Sequence, residues 1–262
     1  MSKNWKNIAL KTSVGLLLAV VLIGAYVLGS GNRRQTRCAW VEITVEDSLN
    51  TPFVTAKKIK QYLSQDFGKL VGMPIDSIDT YKIEKFLDSK TAILKSNVYK
   101  TSKGTLNIMV TQRKPVLRFQ TSSYGFYCDA DGYLLPLEPD YSMDVPVIDG
   151  NIPLDMEDCM KGTAEDPQDR RWLEDMLKLS GHISGSVWKE RIAQVHCQES
   201  GELVIVPREG GEIFLFGLPE NMEEKLEKMQ MYYERIVAEK GKEAYKVVDV
   251  RFKDQIVCKK TE

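Results

Sequence analysis

Nineteen consecutive residues, "TSVGLLLAVVLIGAYVLGS" (Thr12–Ser30), carry no charge. As a helix this run would be about 28 Å long, close to the roughly 30 Å hydrocarbon core of a bilayer. It divides the chain. A short basic head precedes it, and every acidic residue follows it. A cleaved signal peptide is the alternative, but its apolar region is usually shorter, and the exit "VLGSGNRR" lacks an A-x-A site. The run therefore reads as a retained transmembrane helix over residues 12–30, between a cytoplasmic head (1–11) and a polar linker (31–37). Three basic residues on each side leave the positive-inside rule undecided. A short head before a large C-terminal region reads as head inside the cell and domain outside.

The net charge of −1 conceals an asymmetry. All 37 acidic and 30 of the 36 basic side chains lie in residues 38–262, a net of −7. Such a globule does not neutralise nucleic-acid phosphates, so nucleic acid is excluded as a partner. Five cysteines, Cys38, Cys128, Cys159, Cys197 and Cys258, form no C-x-x-C pair and no zinc spacing, and their odd number argues against a disulfide framework.

Beyond the linker, "CAWVEITVE" (Cys38–Glu46) alternates as a strand. Thr55 is placed to cap a helix with Ala56, Ile59, Tyr62 and Leu63 on one face, and Asp79 to cap a second with Ile83, Phe86 and Leu87 inward. Ala92–Lys100 reads as a strand, Thr101–Gly104 as a turn, and Thr105–Arg113 as a strand with Leu106, Ile108 and Val110 on one face. This β-α-α-β-β order makes a small α+β unit over residues 38–113. Pro115 marks the boundary to a second domain, 114–262, because a central strand cannot run through it undisturbed.

The second domain reads as mostly antiparallel β with flanking helices. Short strands precede and follow the "DADG" turn (Asp129–Gly132), and "DVPVIDG" is extended. Residues 151–166 are polar without period. Asp166 and Pro167 start a helix that buries Trp172, Leu173, Met176 and Leu177. "RIAQVHC", "GELVIVP" and "GEIFLFG" follow as hairpin strands. A long helix, Glu220–Lys240, carries Met222, Leu226, Met229, Tyr233 and Ile236 at helical spacing and stops at Gly241. In "VVDVRFKDQIVCKK" (Val247–Lys260), Val248, Val250 and Phe252 alternate with Asp249, Arg251 and Lys253. This is a half-buried closing strand, and Ile256-Val257-Cys258 continue it as extended chain. A terminal strand at a sheet edge exposes unpaired N–H and C=O groups, which invite a partner.

The order of these segments resembles the bacterial cell-division family FtsQ/DivIB. "TLNIMVTQRKPVLRF" is similar to that family's strand closed by Arg-x-Pro, which ends its POTRA-like unit. "FYCDADGYLLPL" resembles its aromatic–Asp–Gly segment, and "VPVIDG" its Pro-x-Ile-x-Gly. "VVDVRF" is similar to its Asp-Leu-Arg-aromatic strand. The resemblance implies a non-catalytic inner-membrane scaffold of the divisome, whose C-terminal strand receives a strand of FtsB, itself paired with FtsL. Septal cell-wall synthases are further implied partners. Carried across by position, the partner-binding residues are Phe252, Asp254, Gln255, Ile256, Val257, Cys258 and Lys259. Basic Lys259 and Lys260 then suit an acidic stretch in the partner.

Catalytic chemistry has little support in the sequence. His196 and Cys197 are neighbours in an alternating strand, so their side chains point to opposite faces and cannot act as base and nucleophile. His182 lies in "SGHISGS", read as a loop. Asp129 and Asp131 read as turn-stabilising carboxylates rather than an acid–base pair. No phosphate loop or calcium loop is present, so the expectation is no enzyme, cofactor, metal or small-molecule substrate. A membrane-anchored envelope enzyme and a POTRA-type translocation or assembly factor are the alternatives. The first needs a reactive constellation and the second several POTRA units with a membrane barrel.

Overall fold

The protein is described here by a computed structural model covering residues 14–26, 36–46, 54–137 and 142–260. The expected head (1–11), both ends of the expected membrane helix (12–13 and 27–30) and most of the linker (31–35) lie outside the described residues. Residues 14–26 form helix α1, whose apolar side chains Leu16, Leu17 and Leu22 are exposed. No helix among the described residues is long and apolar enough to cross a membrane. The expected span over 12–30 is thus represented only by this shorter helix. The rest of the chain is a mixed α+β fold in two compact units, meeting between Gln112 and Arg113.

The first unit runs β1 (Trp40–Glu46), α2 (Ala56–Asp66), α3 (Thr80–Asp88), β2 (Ile93–Lys100) and β3 (Thr105–Gln112). Both caps form as their chemistry dictates. The Thr55 hydroxyl accepts from the Lys58 N–H at 3.2 Å, and the Asp79 carboxylate accepts from the Lys82 N–H at 3.1 Å. The sheet order is β1-β3-β2, with β3 central, parallel to β1 and antiparallel to β2. Ile59, Ile83, Leu87, Leu106, Ile108 and Val110 are fully buried between the sheet and its helices. Each contributes about 1.5–3 kcal/mol by leaving water. Ala56 is exposed and Phe86 half-buried, against expectation; Phe86 meets Phe67 edge-on at 5.3 Å instead.

The second unit holds one sheet of nine strands: β4 (Pro115–Gln120), β5 (Gly125–Asp129), β6 (Leu134–Pro136), β7 (Val147–Gly150), β8 (Ile192–Cys197), β9 (Leu203–Pro207), β10 (Ile213–Gly217), β11 (Val247–Asp249) and β12 (Val257–Lys259). Their spatial order is β12-β11-β10-β9-β8-β7-β4-β5-β6. Five neighbouring pairs are antiparallel; β4–β7, β7–β8 and β10–β11 are parallel. Pro115 stands at the first position of β4, where a missing N–H is tolerated. The long helix α5 (Pro167–Ser184) and helix α7 (Met222–Met231) cover the core, which Phe119, Phe126, Phe214 and Phe216 fill.

Three expectations change. Residues 151–166 are not patternless: they contain α4 (Met156–Lys161), and Leu154 and Ala164 are buried. His182 lies within α5, not in a loop. The long helix is not uniform, because a wider π turn, Tyr232–Val237, follows α7. That turn brings Tyr232 fully into the core and leaves Tyr233 only partly buried.

Candidate docking edge

The chain after Gly241, whose φ of 89° ends the helix, enters β11 beside β10. β11 was expected to continue to Lys253, but it stops at Asp249. Val250 is still buried, whereas Phe252 points outward with 48% of its surface exposed. The chain then turns through Asp254, which has a φ of 57°, and returns as β12, antiparallel to β11. The closing strand is therefore a hairpin, with Val247 opposite Lys259, Val248 opposite Cys258 and Asp249 opposite Val257.

Side chains of helix α7 explain the early stop. The Lys228 ammonium is buried and donates to the Phe252 carbonyl at 2.6 Å and more weakly to the Val250 carbonyl at 3.4 Å. It also pairs with Glu224 at 2.7 Å. The hydrogen bond from Lys228 holds the Glu224 carboxyl below its ordinary pKa, with help from the Asp254 backbone N–H. Ammonium and carboxylate thus grip the same turn by its carbonyls and by its N–H.

Asp249 fixes the other side of the bend. It is buried, and burial alone would raise its pKa. Hydrogen bonds and charge from Arg251 outweigh that and hold it below the usual carboxylate value. Arg251 donates to Asp249 at 2.9 and 2.7 Å and reaches Glu202 at 3.1 Å. Such charge-assisted forks are stronger and more directional than neutral bonds.

The expected binding residues separate into two groups. Phe252, Asp254 and Gln255 are exposed residues of the turn. Ile256 and Cys258 are half-buried against the core, and Val257, Cys258 and Lys259 form β12 itself. β12 is the terminal strand of the sheet, so among the described residues it has one strand neighbour, β11. In an antiparallel pair alternate residues turn both N–H and C=O away from the neighbour, so the outer margin of β12 offers donors and acceptors for a further strand. Burial keeps the Cys258 thiol above its ordinary pKa, so it is a neutral side chain of this strand. Sequence reasoning missed Lys225 and Lys228; their only signal was two lysines at i and i+3 beside the apolar stripe of α7.

The residues weighed for chemistry are occupied structurally. Asp129 accepts from the N–H groups of Asp131 and Tyr133 at 3.0 and 2.8 Å and pairs with Arg113 at 2.7 Å. The Arg113 guanidinium lies 3.6 Å from the centre of the Tyr133 ring. His196 meets Asp149 at 2.8 Å, while Cys197 is buried on the opposite face. His182 lies 3.8 Å from Glu223 on the surface. No group of three or more metal-ligating side chains occurs among the described residues.

Comparison with known families gives two matches in chain order. Residues 36–111 match the POTRA-like domain, and residues 114–259 match the family described as FtsQ/DivIB, C-terminal related. No curated protein matches the chain.

Proposed function

The chain belongs to the FtsQ/DivIB C-terminal related family of cell-division proteins, and from that premise we propose that it is a membrane-anchored, non-catalytic scaffold of the divisome. It captures an FtsB-like strand, and through it an FtsL-like partner, by β-strand addition at β12. Control of septal peptidoglycan synthesis is then indirect, through those partners. The observation that carries this reading is the open outer margin of β12 at the end of a nine-stranded sheet. In strand addition the main-chain bonds supply affinity and alternate side chains supply specificity.

Anchoring rests on the uncharged run Thr12–Ser30 and on the exposed apolar surface of α1, which needs lipid around it. The anchor places the head in the cytoplasm and both folded units in the periplasm at the division site.

The test is truncation. Removing residues 257–262 deletes β12 and spares Val248 and Val250, which are core. Full-length and truncated chains are expressed with their anchor, recovered from membranes in mild detergent, and the co-purifying membrane proteins are identified. The expected result is loss of an FtsB–FtsL-like pair with the truncated chain inserted and folded. Recovery of the same pair by the truncated chain would sink the assignment.

A further inference from the structure

Three large apolar residues of the first unit face outward: Trp40 is 66% exposed, Val71 43% and Met73 36%. Trp40 and Val71 rim a cleft of about 670 Å³ between β1, helix α2 and the loop after α2, and Val41, Ile43, Leu63 and Leu70 form its walls. Lys60 and Lys69 complete the rim. The nearest carboxylates in sequence, Glu42 and Asp66, are not among the residues that line it. Single apolar side chains at a surface are ordinary. An apolar cleft with an exposed tryptophan and lysines at its rim has the composition of a surface that meets lipid.

This surface lies where the chain enters the unit. The loop after α2 is laced to the residues that lead into β1. The Ile75 N–H donates to the Thr36 carbonyl at 2.9 Å, the Cys38 N–H to the Met73 carbonyl at 2.8 Å, and the Gly72 N–H to the Cys38 carbonyl at 2.7 Å. The Arg37 guanidinium adds a bond to the Gly72 carbonyl at 2.8 Å. Trp40, Val71 and Met73 are therefore presented together and need little further ordering to bind.

The tether limits where they can go. From Ser30, the end of the uncharged run, to Thr36 the chain spans at most about 20 Å. Trp40 follows within about 13 Å of Thr36 along an extended chain. The headgroup layer beyond the hydrocarbon core is itself about 5–8 Å thick. With residues 12–30 in the bilayer, the patch is held at high local concentration beside the lipid surface, so a weak affinity is enough to dock it.

We propose that this patch docks on the bilayer, with Trp40, Val71 and Met73 at the boundary between headgroups and acyl chains and with Lys60 and Lys69 on lipid phosphates. This rests on the anchoring reading and adds to it a second protein–lipid contact, which orients the first unit on the membrane. The tryptophan ring supplies an apolar body with a polar N–H, and the lysine stems lie along apolar surface while their ammonium groups stay in water. A protein strand added to β1, an edge strand of its sheet, is the competing occupant. The tether favours lipid, which is within reach whatever partners are bound.

Quenching by lipid tests this on the full chain. A Trp5→Phe chain, in which Trp40 is the first unit's only tryptophan, is reconstituted in nanodiscs of mixed zwitterionic and anionic phospholipid. Discs with and without lipid brominated on the upper acyl chain are compared. Brominated lipid should quench the emission, and adding Trp40→Phe should lower the quenched fraction about threefold or more. Val71→Asp, or Lys60→Glu together with Lys69→Glu, should lower it about twofold while Trp40 stays in place. Quenching that Trp40→Phe leaves unchanged, in discs that hold the chain, overturns the docking and leaves the anchor standing. A chain that fails to enter the discs overturns the anchor and this inference with it. Trp40 left unquenched by lipid, and shielded from aqueous iodide only once the co-purifying membrane proteins are added, would assign the patch to a protein strand instead.

Discussion

At one margin of the nine-stranded sheet the chain closes its own edge; at the other, among the described residues, it adds no further strand. β6 ends the sheet with Leu134 and Leu135 buried and with Pro136, which has no N–H to offer. The Leu134 N–H donates to the Gly162 carbonyl at 2.8 Å, just past α4, so the segment after β7 seals this side. β12 ends the opposite margin without proline and with Lys259 exposed. Inside each margin the construction is the same. The last residue of the penultimate strand is a buried aspartate bonded to an arginine: Asp129 to Arg113, and Asp249 to Arg251. The two edges are therefore anchored alike and finished differently, and the finish separates a covered margin from an open one.

The largest effect is expected at the closed margin. Gly162 has a φ of 83°, and a Cβ there would run into the Tyr133 ring that stacks on Arg113. Gly162→Val combines left-handed strain with a clash and should cost about 3 kcal/mol, read as a lowered denaturation midpoint. Partner recovery by the molecules that remain folded should be unchanged. A Gly162→Val chain of native stability would mean that this margin is not sealed as described.

The next effect lies beside the open margin. Asp249→Asn removes a buried charge-assisted fork and should cost about 2 kcal/mol. The pH dependence has a fixed sign. The folded-state pKa of Asp249 is depressed, so its contribution is full at neutral pH and falls as pH drops below the ordinary aspartate value near 4. Thermal unfolding of the wild type should lose stability in that acid range more steeply than the Asn variant. Parallel curves would show that Arg251 does not stabilise the ionised form.

The elements and their order were legible because each has a local cause: the Thr55 and Asp79 caps, the period-two runs, and the apolar stripe of α7. The edge was half legible. Alternation of Val248, Val250 and Phe252 fits one long strand, yet the chain leaves it after Asp249. The cause is Lys228, a residue 24 positions away from Phe252, whose ammonium takes two carbonyls out of line. A long-range side-chain bond has no period, so pattern reading could not detect it. The same holds for residues 151–166, whose task of sealing β6 depends on Gly162 meeting Leu134 across the fold.

A proline scan would transfer the finish of one margin to the other. β12 residues alternate between N–H groups turned toward β11 and N–H groups turned outward. Proline at an outward position should leave the hairpin intact and lower partner recovery about tenfold, since one main-chain bond to the added strand is lost and its ring crowds the margin. Proline at an inward position should also loosen β11–β12 pairing. The expected alternation across Val257, Cys258 and Lys259 in denaturation midpoint, with recovery lowered at all three, sharpens the contrast. Recovery that ignores all three prolines would break it.

The smallest effect concerns charge. Lys259 and Lys260 are exposed at the end of the open edge, and the Lys259 charge reaches Asp249 only as a minor contribution beside that of Arg251. Exposed charges at a rim act mainly on the rate of encounter and are screened by salt over about 8–10 Å. Replacing both with glutamine should therefore leave stability unchanged and weaken partner recovery about threefold in dilute buffer. Near 0.5 M salt the difference should vanish, because wild type then loses the same contribution. The fully screened wild type and the uncharged variant both retain the main-chain groups of β12, so their residual affinity measures what the open margin supplies without its charges. A difference that persists in high salt would instead place the lysines in direct, desolvated contact with the partner.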